Sequence, residues 1–476
     1  MLFNSFEYFI FLIAVILLYF SIPFRWRVWL LLAVSYFFYM SWRWQYGFLI
    51  FGVTVINYLG GRLISFYSDI TKRKIVLTAV IILSIIPLFF FKYFNFLNDS
   101  FRTLFSHNGQ NYGFMGFNVI LPVGISFYTL QALGYSMDVF RGSCEAEKSF
   151  ARFALYVSFF PQLVAGPIER AGHLLKQFER KNHFDIIRLS QGAKLILWGL
   201  FKKVVIADNL ATYVNRIYDN PDLYSGSTLL LATYFFAFQI YCDFSGYSDM
   251  AVGSARILGY DLMQNFRLPY LAPSIRDFWK RWHISLSTWF ADYVYIPLGG
   301  NRVSAGRWIF NIFAVFILSG LWHGANWTFV IWGGLHAFYY LFGALFSKVM
   351  NKMKKTVLPV TLSHWLDVLI TFHLVVLAWV FFRAKTISDA LMIIGRIATD
   401  LTGTLYRGAS QLETFMSLSM IILLIVIQVL QSKKVVTLGL EVSKLPQTIR
   451  WSGYMAILFG LILLGKGSNQ FIYFQF

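Results

Sequence analysis

Leu318-Ser319-Gly320-Leu321-Trp322-His323-Gly324-Ala325-Asn326-Trp327 is a short polar break between two charge-free apolar runs, Trp308–Leu318 and Trp327–Phe346. A helix that crosses a bilayer needs about 20 mainly apolar residues, and each run with its flanks approaches that length. The pattern repeats on both sides. Further runs lie at Phe9–Tyr19, Val28–Met40, Gly47–Leu59, Ile75–Phe91, Leu195–Leu200, Leu229–Ile240, Val368–Phe382, Met416–Leu430 and Tyr454–Leu464. Of the 476 residues 58% are hydrophobic and only 13% charged, where a soluble domain carries roughly 25% charged residues. The expected fold class is all-α: a polytopic transmembrane helical protein of about eleven spans, with re-entrant helices among them. No cationic stretch precedes the first apolar run and no small-residue cleavage site follows it, so it is expected to be the first membrane helix.

The formal charge of +19 fits the gathering of Lys and Arg in cytoplasmic loops. Lys72-Arg73-Lys74, Lys202-Lys203, Lys352/Lys354/Lys355 and the pair Arg25 and Arg27 are the candidate loop clusters. No groove-reading motif accompanies the charge, so no nucleic acid is expected as a partner. Two cysteines, Cys144 and Cys242, make neither a disulfide framework nor a thiolate site, and no metal is expected. GxSxG, HExxH, Walker A and GxGxxG motifs are absent.

Residues 1–120 read as N-terminal scaffold helices, 121–384 as the functional core and 385–476 as C-terminal helices. The core is set apart by Leu121-Pro122-Val123-Gly124, by the stretch from Phe160 to Pro167 and by the stretch from Asp243 to Asp249, which interrupt apolar helices. Freed backbone groups in hydrocarbon cost several kcal/mol each, so such breaks survive where protein or water surrounds them. They imply a cavity.

Among the eight histidines, His323 stands out because an ionisable group inside the membrane is a functional candidate by default. The plainer alternative is a core histidine bonded to a nearby carbonyl. That alternative is the expectation for His336 and His373. His107, His173 and His183 fall in polar loops and are expected to be solvated, and His364 to be interfacial. From Ser274 to Trp289, Arg276, Lys280 and His283 recur at helical spacing, as do Trp279, Trp282 and Trp289. One amphipathic helix is expected there. It is either an interfacial anchor with snorkelling cations or a cytoplasm-facing basic funnel with His283 pointing inward. Asp243 and Asp249 need partners if buried, and Arg276 or Arg281 is the expected source.

Six stretches in order resemble the membrane-bound O-acyltransferase superfamily: Leu121–Gly142, Gln162–Arg170, Asp243–Gly253, Arg276–Arg302, Leu318–Gly324 and Trp379–Ala384. The closer likeness is to its bacterial branch concerned with alginate O-acetylation. Each stretch alone is weak; the ordered set is specific. The resemblance implies a many-helix fold with a central tunnel, an acyl thioester entering from the cytoplasm and an acceptor on the far side. His323 matches the family's catalytic base and His283 its second recurrent polar position. Ala291 departs from the pattern, which has arginine before Asp292-Tyr293. The implied activity is O-acetylation of an extracytoplasmic polysaccharide such as alginate from a cytoplasmic donor, acetyl-CoA. The implied setting is the bacterial inner membrane, among lipids and beside an extracytoplasmic SGNH-type acetyltransferase partner.

The residue types suit that chemistry independently. Acyl transfer to a hydroxyl needs a base titrating near neutrality. The developing oxyanion needs donors, from His283, Asn326 or an indole N–H. Arg276, Lys280 and Arg281 can hold the donor's phosphates. No serine or cysteine lies in a nucleophile motif, so direct transfer is simpler than an acyl-enzyme. D-alanyl transfer to teichoic acid is the nearer alternative. A transporter or flippase is the other, but it should show internal pseudo-symmetry, and none is visible.

Overall fold

In hydrocarbon every backbone N–H and C=O must be paired within the chain, so apolar runs of this length fold as helices. The computed structural model describes residues 1–107, 116, 121–164, 166–357, 359–408, 410–433, 446–466 and 471–472, and these are helix and connecting loop without a strand. Ala165 and the side chains of His107, Lys352, Lys354 and Lys355 lie outside the described residues. Among the described residues eight helices are long and apolar enough to cross a bilayer, and Phe6–Ser21 is a shorter apolar helix. Large apolar side chains point outward, with Phe66 80% and Ile462 76% exposed, while Ser35, Thr54, Asn57 and Ser84 are fully buried. This is the distribution lipid demands of a multi-pass integral membrane protein.

Contacts divide the chain into two interleaved units, 1–192 with 251–263, and 193–250 with 264–476.

In the first unit, a buried polar knot joins three helices. Asn57 on Tyr46–Phe66 donates to Ser84 on Ile70–Leu88 (2.9 Å) and accepts from Ser136 on Ile125–Arg141 (2.8 Å). Gly61 lets the Tyr135 ring close in, since a Cβ there would stand 2.6 Å from it. Glu169, buried in the loop after Gln162, accepts from the Met263 N–H (2.5 Å) and meets His173 Nδ1 at 2.8 Å. His173 is exposed, as expected of a loop histidine, and is in addition paired with Glu169. The hydrogen bond that His173 donates to Glu169 raises its pKa above the ordinary imidazole value, against a smaller opposing effect of burial.

In the second unit, Lys202 and Lys203 correct a sequence expectation. They do not sit in a loop: both are buried in a π-helical turn, Phe201–Ala207. Lys203 Nζ meets Asp243 at 2.5 Å and Asp208 at 2.8 Å, and Lys202 Nζ meets Asp249 at 2.8 Å. The partners of Asp243 and Asp249 are thus these lysines rather than Arg276 or Arg281. Buried charge survives where it is paired and further hydrogen-bonded. Here Ser245 accepts from Lys202 (2.8 Å) and the Ile472 N–H donates to Asp243 (2.7 Å). Gly199 and Gly246 face each other across the same contact, where a Cβ on either would stand under 3 Å from the other's carbonyl oxygen.

Candidate active site

The helix pair Ala305–His323 and Trp327–Val357 carries the polar break. Their close approach rests on glycine: a Cβ at Gly320 would stand 2.2 Å from the Phe329 carbonyl oxygen, and one at Gly333 2.3 Å from that of Phe316. His323 is the last helical residue, 4% exposed, with Gly324 as its C-cap. Its imidazole is ringed by Trp322 (4.9 Å between centroids), Trp332 (5.2 Å) and Phe382 (5.3 Å). Asn326 turns out to be occupied in the turn itself. Its amide donates to the Lys385 carbonyl (3.0 Å) and its side-chain oxygen accepts from the Thr328 N–H (3.0 Å).

The expected continuous helix over Ser274–Trp289 is broken. Ile275–Trp279 is a single turn capped by Ser274, and a second helix, Ile284–Phe290, starts after His283. His283 itself sits at φ +42°, in the left-handed region, which for a non-glycine residue needs support from its surroundings. Asn265 provides it. The Asn265 carbonyl accepts from the Ile284 N–H (3.0 Å), and its side-chain oxygen accepts from Ser285 N–H (3.3 Å) and hydroxyl (2.6 Å). Its amide donates to Ser248 (3.1 Å). Periodicity in the sequence runs straight through this break, because the side chains keep a helical rhythm on either side of it.

The break tucks His283 inward, fully buried, with Phe244 at 4.6 Å and Trp322 at 5.9 Å between ring centroids. The indole of Trp322 therefore contacts both histidines. Sequence reading found the two histidines but not this shared tryptophan, nor the wall behind it. That wall is Trp332 and Trp379, stacked 5.8 Å apart, each with an indole N–H that has no acceptor among the described residues. Trp379 and Phe382 come from the Trp379–Ala384 stretch.

The cations separate into two kinds. Arg281 is paired with Asp277 at 2.7 Å, across the break. Arg276 and Lys280 are exposed and in no ion pair among the described residues. His336 and His373 are placed differently from each other. His373 Nδ1 bonds the Leu369 carbonyl (2.7 Å) as expected, but its side chain is exposed and not in the core. His336 differs from that expectation: it is fully buried and held by Trp279 and Trp332 (4.9 Å each), with no hydrogen-bond partner for its ring nitrogens among the described residues.

Two buried histidines thus meet about one indole inside a multi-pass helical bundle. Residues 145–382 match the membrane-bound O-acyltransferase family, and the chain belongs to it. It is an O-acyltransferase. It is 40% identical over 390 residues to the probable alginate O-acetylase AlgI of Pseudomonas aeruginosa, covering 80% of this chain and 72% of that one. It is 37% identical over 394 residues to the peptidoglycan O-acetyltransferase of Helicobacter pylori, covering 77% and 73%. It is 31% identical over 333 residues to the teichoic acid D-alanyltransferase of Bacillus subtilis, covering 67% and 80%.

Proposed function

We propose that this protein moves acetyl groups from cytoplasmic acetyl-CoA to an extracytoplasmic polysaccharide of the alginate kind, from the bacterial inner membrane. The observation that carries the reading is the pair His323 and His283 on either side of Trp322. The higher identities to O-acetylases than to the D-alanyltransferase favour acetyl as the group moved. His323 takes the proton of the attacking hydroxyl as that oxygen bonds to the thioester carbonyl carbon. The C–S bond then breaks, and the imidazolium returns the proton to the leaving thiolate. His283 and the open indole donors of Trp332 and Trp379 surround the developing oxyanion. Arg276 and Lys280 bind the donor's phosphates, while Arg281 ties down the turn through Asp277.

Charge supports the direction. Arg302 precedes and Arg307 lies in the first turn of the helix that ends at His323, and Lys352, Lys354 and Lys355 fall near the end of its neighbour. Basic residues mark cytoplasmic ends, so His323 lies toward the far side, where an acceptor arrives. A separate extracytoplasmic SGNH-type transferase completes delivery to the glycan. The test is purified protein with acetyl-labelled acetyl-CoA. Thiol release dependent on His323 is expected. Turnover of a D-alanyl carrier protein instead would transfer the reading to teichoic acid, and no turnover of either donor would leave a transporter.

A further inference from the structure

A cavity of about 210 Å³ is walled by Leu286, Phe290, Ala291, Ile312, Val315 and Phe316. Two other lining residues fix its place. Ser319 precedes His323 by one helical turn, and Ser287 follows His283 by one turn, its N–H bonded to the His283 carbonyl at 2.9 Å. Residues four apart on a helix are neighbours on one face, so the Ser319 side of the cavity lies one turn from His323, and its Ser287 side is tied to the His283 backbone through that hydrogen bond.

Its chemistry selects an apolar occupant. Most of its wall is hydrocarbon; of its four hydroxyls that of Ser287 donates to the Trp282 carbonyl (3.1 Å) and that of Tyr295 accepts from the Trp308 indole (3.1 Å), while those of Ser319 and Tyr340 and the Trp279 indole complete the polar part of the lining. An amide-bearing arm placed here would set its polar groups largely against hydrocarbon, which is costly. A hydrocarbon chain would not. Size points the same way. An apolar cavity of roughly 150 Å³ admits benzene, so 210 Å³ has room for a chain of about six carbons and is mostly empty around an acetyl methyl. Ala291 has the smallest side chain on this wall and begins the π-helical turn Ala291–Tyr295; it is also where the sequence departs from the pattern it otherwise follows.

We propose that the cavity receives the acyl chain of the donor, that the enzyme transfers acyl groups up to about six carbons as well as acetyl, and that Ala291 sets the limit. This rests on the acyl-CoA reading above. The step is the same at any length: the acceptor oxygen bonds to the acyl carbon, the C–S bond breaks, and the proton passes through His323 to the thiolate. Ala291→Val, Ala291→Leu and Ala291→Phe would fill the space progressively, and Ala291→Gly would not.

The experiment measures kcat/KM for acetyl-, butyryl- and hexanoyl-CoA with purified protein. The expected result is a wild type that uses all three. The hexanoyl-to-acetyl ratio should fall at least tenfold in Ala291→Leu and Ala291→Phe, less in Ala291→Val, and not at all in Ala291→Gly. A wild type that rejects hexanoyl-CoA while using acetyl-CoA overturns the proposal, as does an equal loss for all lengths, which would put the donor's arm in the cavity. A second readout is independent of coenzyme A: thermal stabilisation by S-hexanoyl-N-acetylcysteamine, abolished by Ala291→Phe. Stabilisation without any acyl-CoA turnover would keep the cavity's role and overturn the donor reading instead. Absence of both stabilisation and hexanoyl turnover overturns the cavity's role.

Discussion

Trp322 contacts two histidines whose backbones are held in different ways, one at a helix C-terminus and one in a left-handed turn. That difference predicts different losses. His323→Ala removes the base, and general-base catalysis typically supplies a hundredfold to ten-thousandfold; turnover should fall at least that far in protein that still extracts and elutes as a folded species. Full activity in such a preparation would remove His323 from the mechanism. His283→Ala should cost about a hundredfold to a thousandfold, the usual loss of one oxyanion donor, and should appear in kcat. A loss confined to donor KM would make His283 a binding residue. His173 offers a test of another kind. Its pKa is raised by Glu169, so its contribution to stability is complete below the ordinary imidazole pKa and is lost as pH rises through the raised one. The side chain is 46% exposed, which holds the effect to a few tenths of a kcal/mol. His173→Gln should flatten the decline of melting temperature across that window; an unchanged slope would assign the decline elsewhere.

At the scale of elements, the apolar helices and the order of the six stretches were readable because hydrophobic runs and small-residue turns are local properties. The break at Lys280–His283 was not. Its cause is Asn265, which lies on a separate loop segment and carries no motif of its own. Lys202-Lys203 misled for the same reason: adjacent lysines look like a loop until the fold brings Asp243 and Asp249 from another helix beside them. Both elements yield predictions. Asn265→Ala leaves the buried Ser285 N–H without its side-chain acceptor, a loss of about 1–3 kcal/mol, and kcat should drop with the loosened His283 turn. Asn265→Asp, which keeps the acceptor, should recover most of both. If Asn265→Ala matched wild type in melting temperature and kcat, the turn would need another support. Lys203→Met strands two buried carboxylates, at about 3–5 kcal/mol, and should lower the yield of monodisperse protein sharply. Adding Asp208→Asn and Asp243→Asn should restore much of it, whereas continued failure would mean the lysine is needed for more than charge balance.

For the molecule as a whole, the remaining question is which face receives the donor, and the exposed cations decide it. Arg276 and Lys280 stand on the single turn whose Trp279 packs on His336, a full turn or more beyond the Asn326 end of its helix toward Lys352 and its neighbours. If basic ends are cytoplasmic, this turn opens to the cytoplasm. A cysteine replacing Lys280, in a background with Cys144 removed, should therefore react with an impermeant thiol reagent from the cytoplasmic side only. Cys242 is fully buried and should stay silent. The same turn predicts a kinetic pattern. Charge-assisted hydrogen bonds contribute roughly 1.5–3 kcal/mol each, so Arg276→Gln with Lys280→Gln should raise the donor's KM tenfold or more. Because these bonds form equally in ground and transition states, kcat should hold nearly constant. Labelling from the outer face would reverse the direction of transfer. Unchanged KM with cytoplasmic labelling would make the turn an interfacial anchor and send the search for the phosphate site to Arg302 and Arg307.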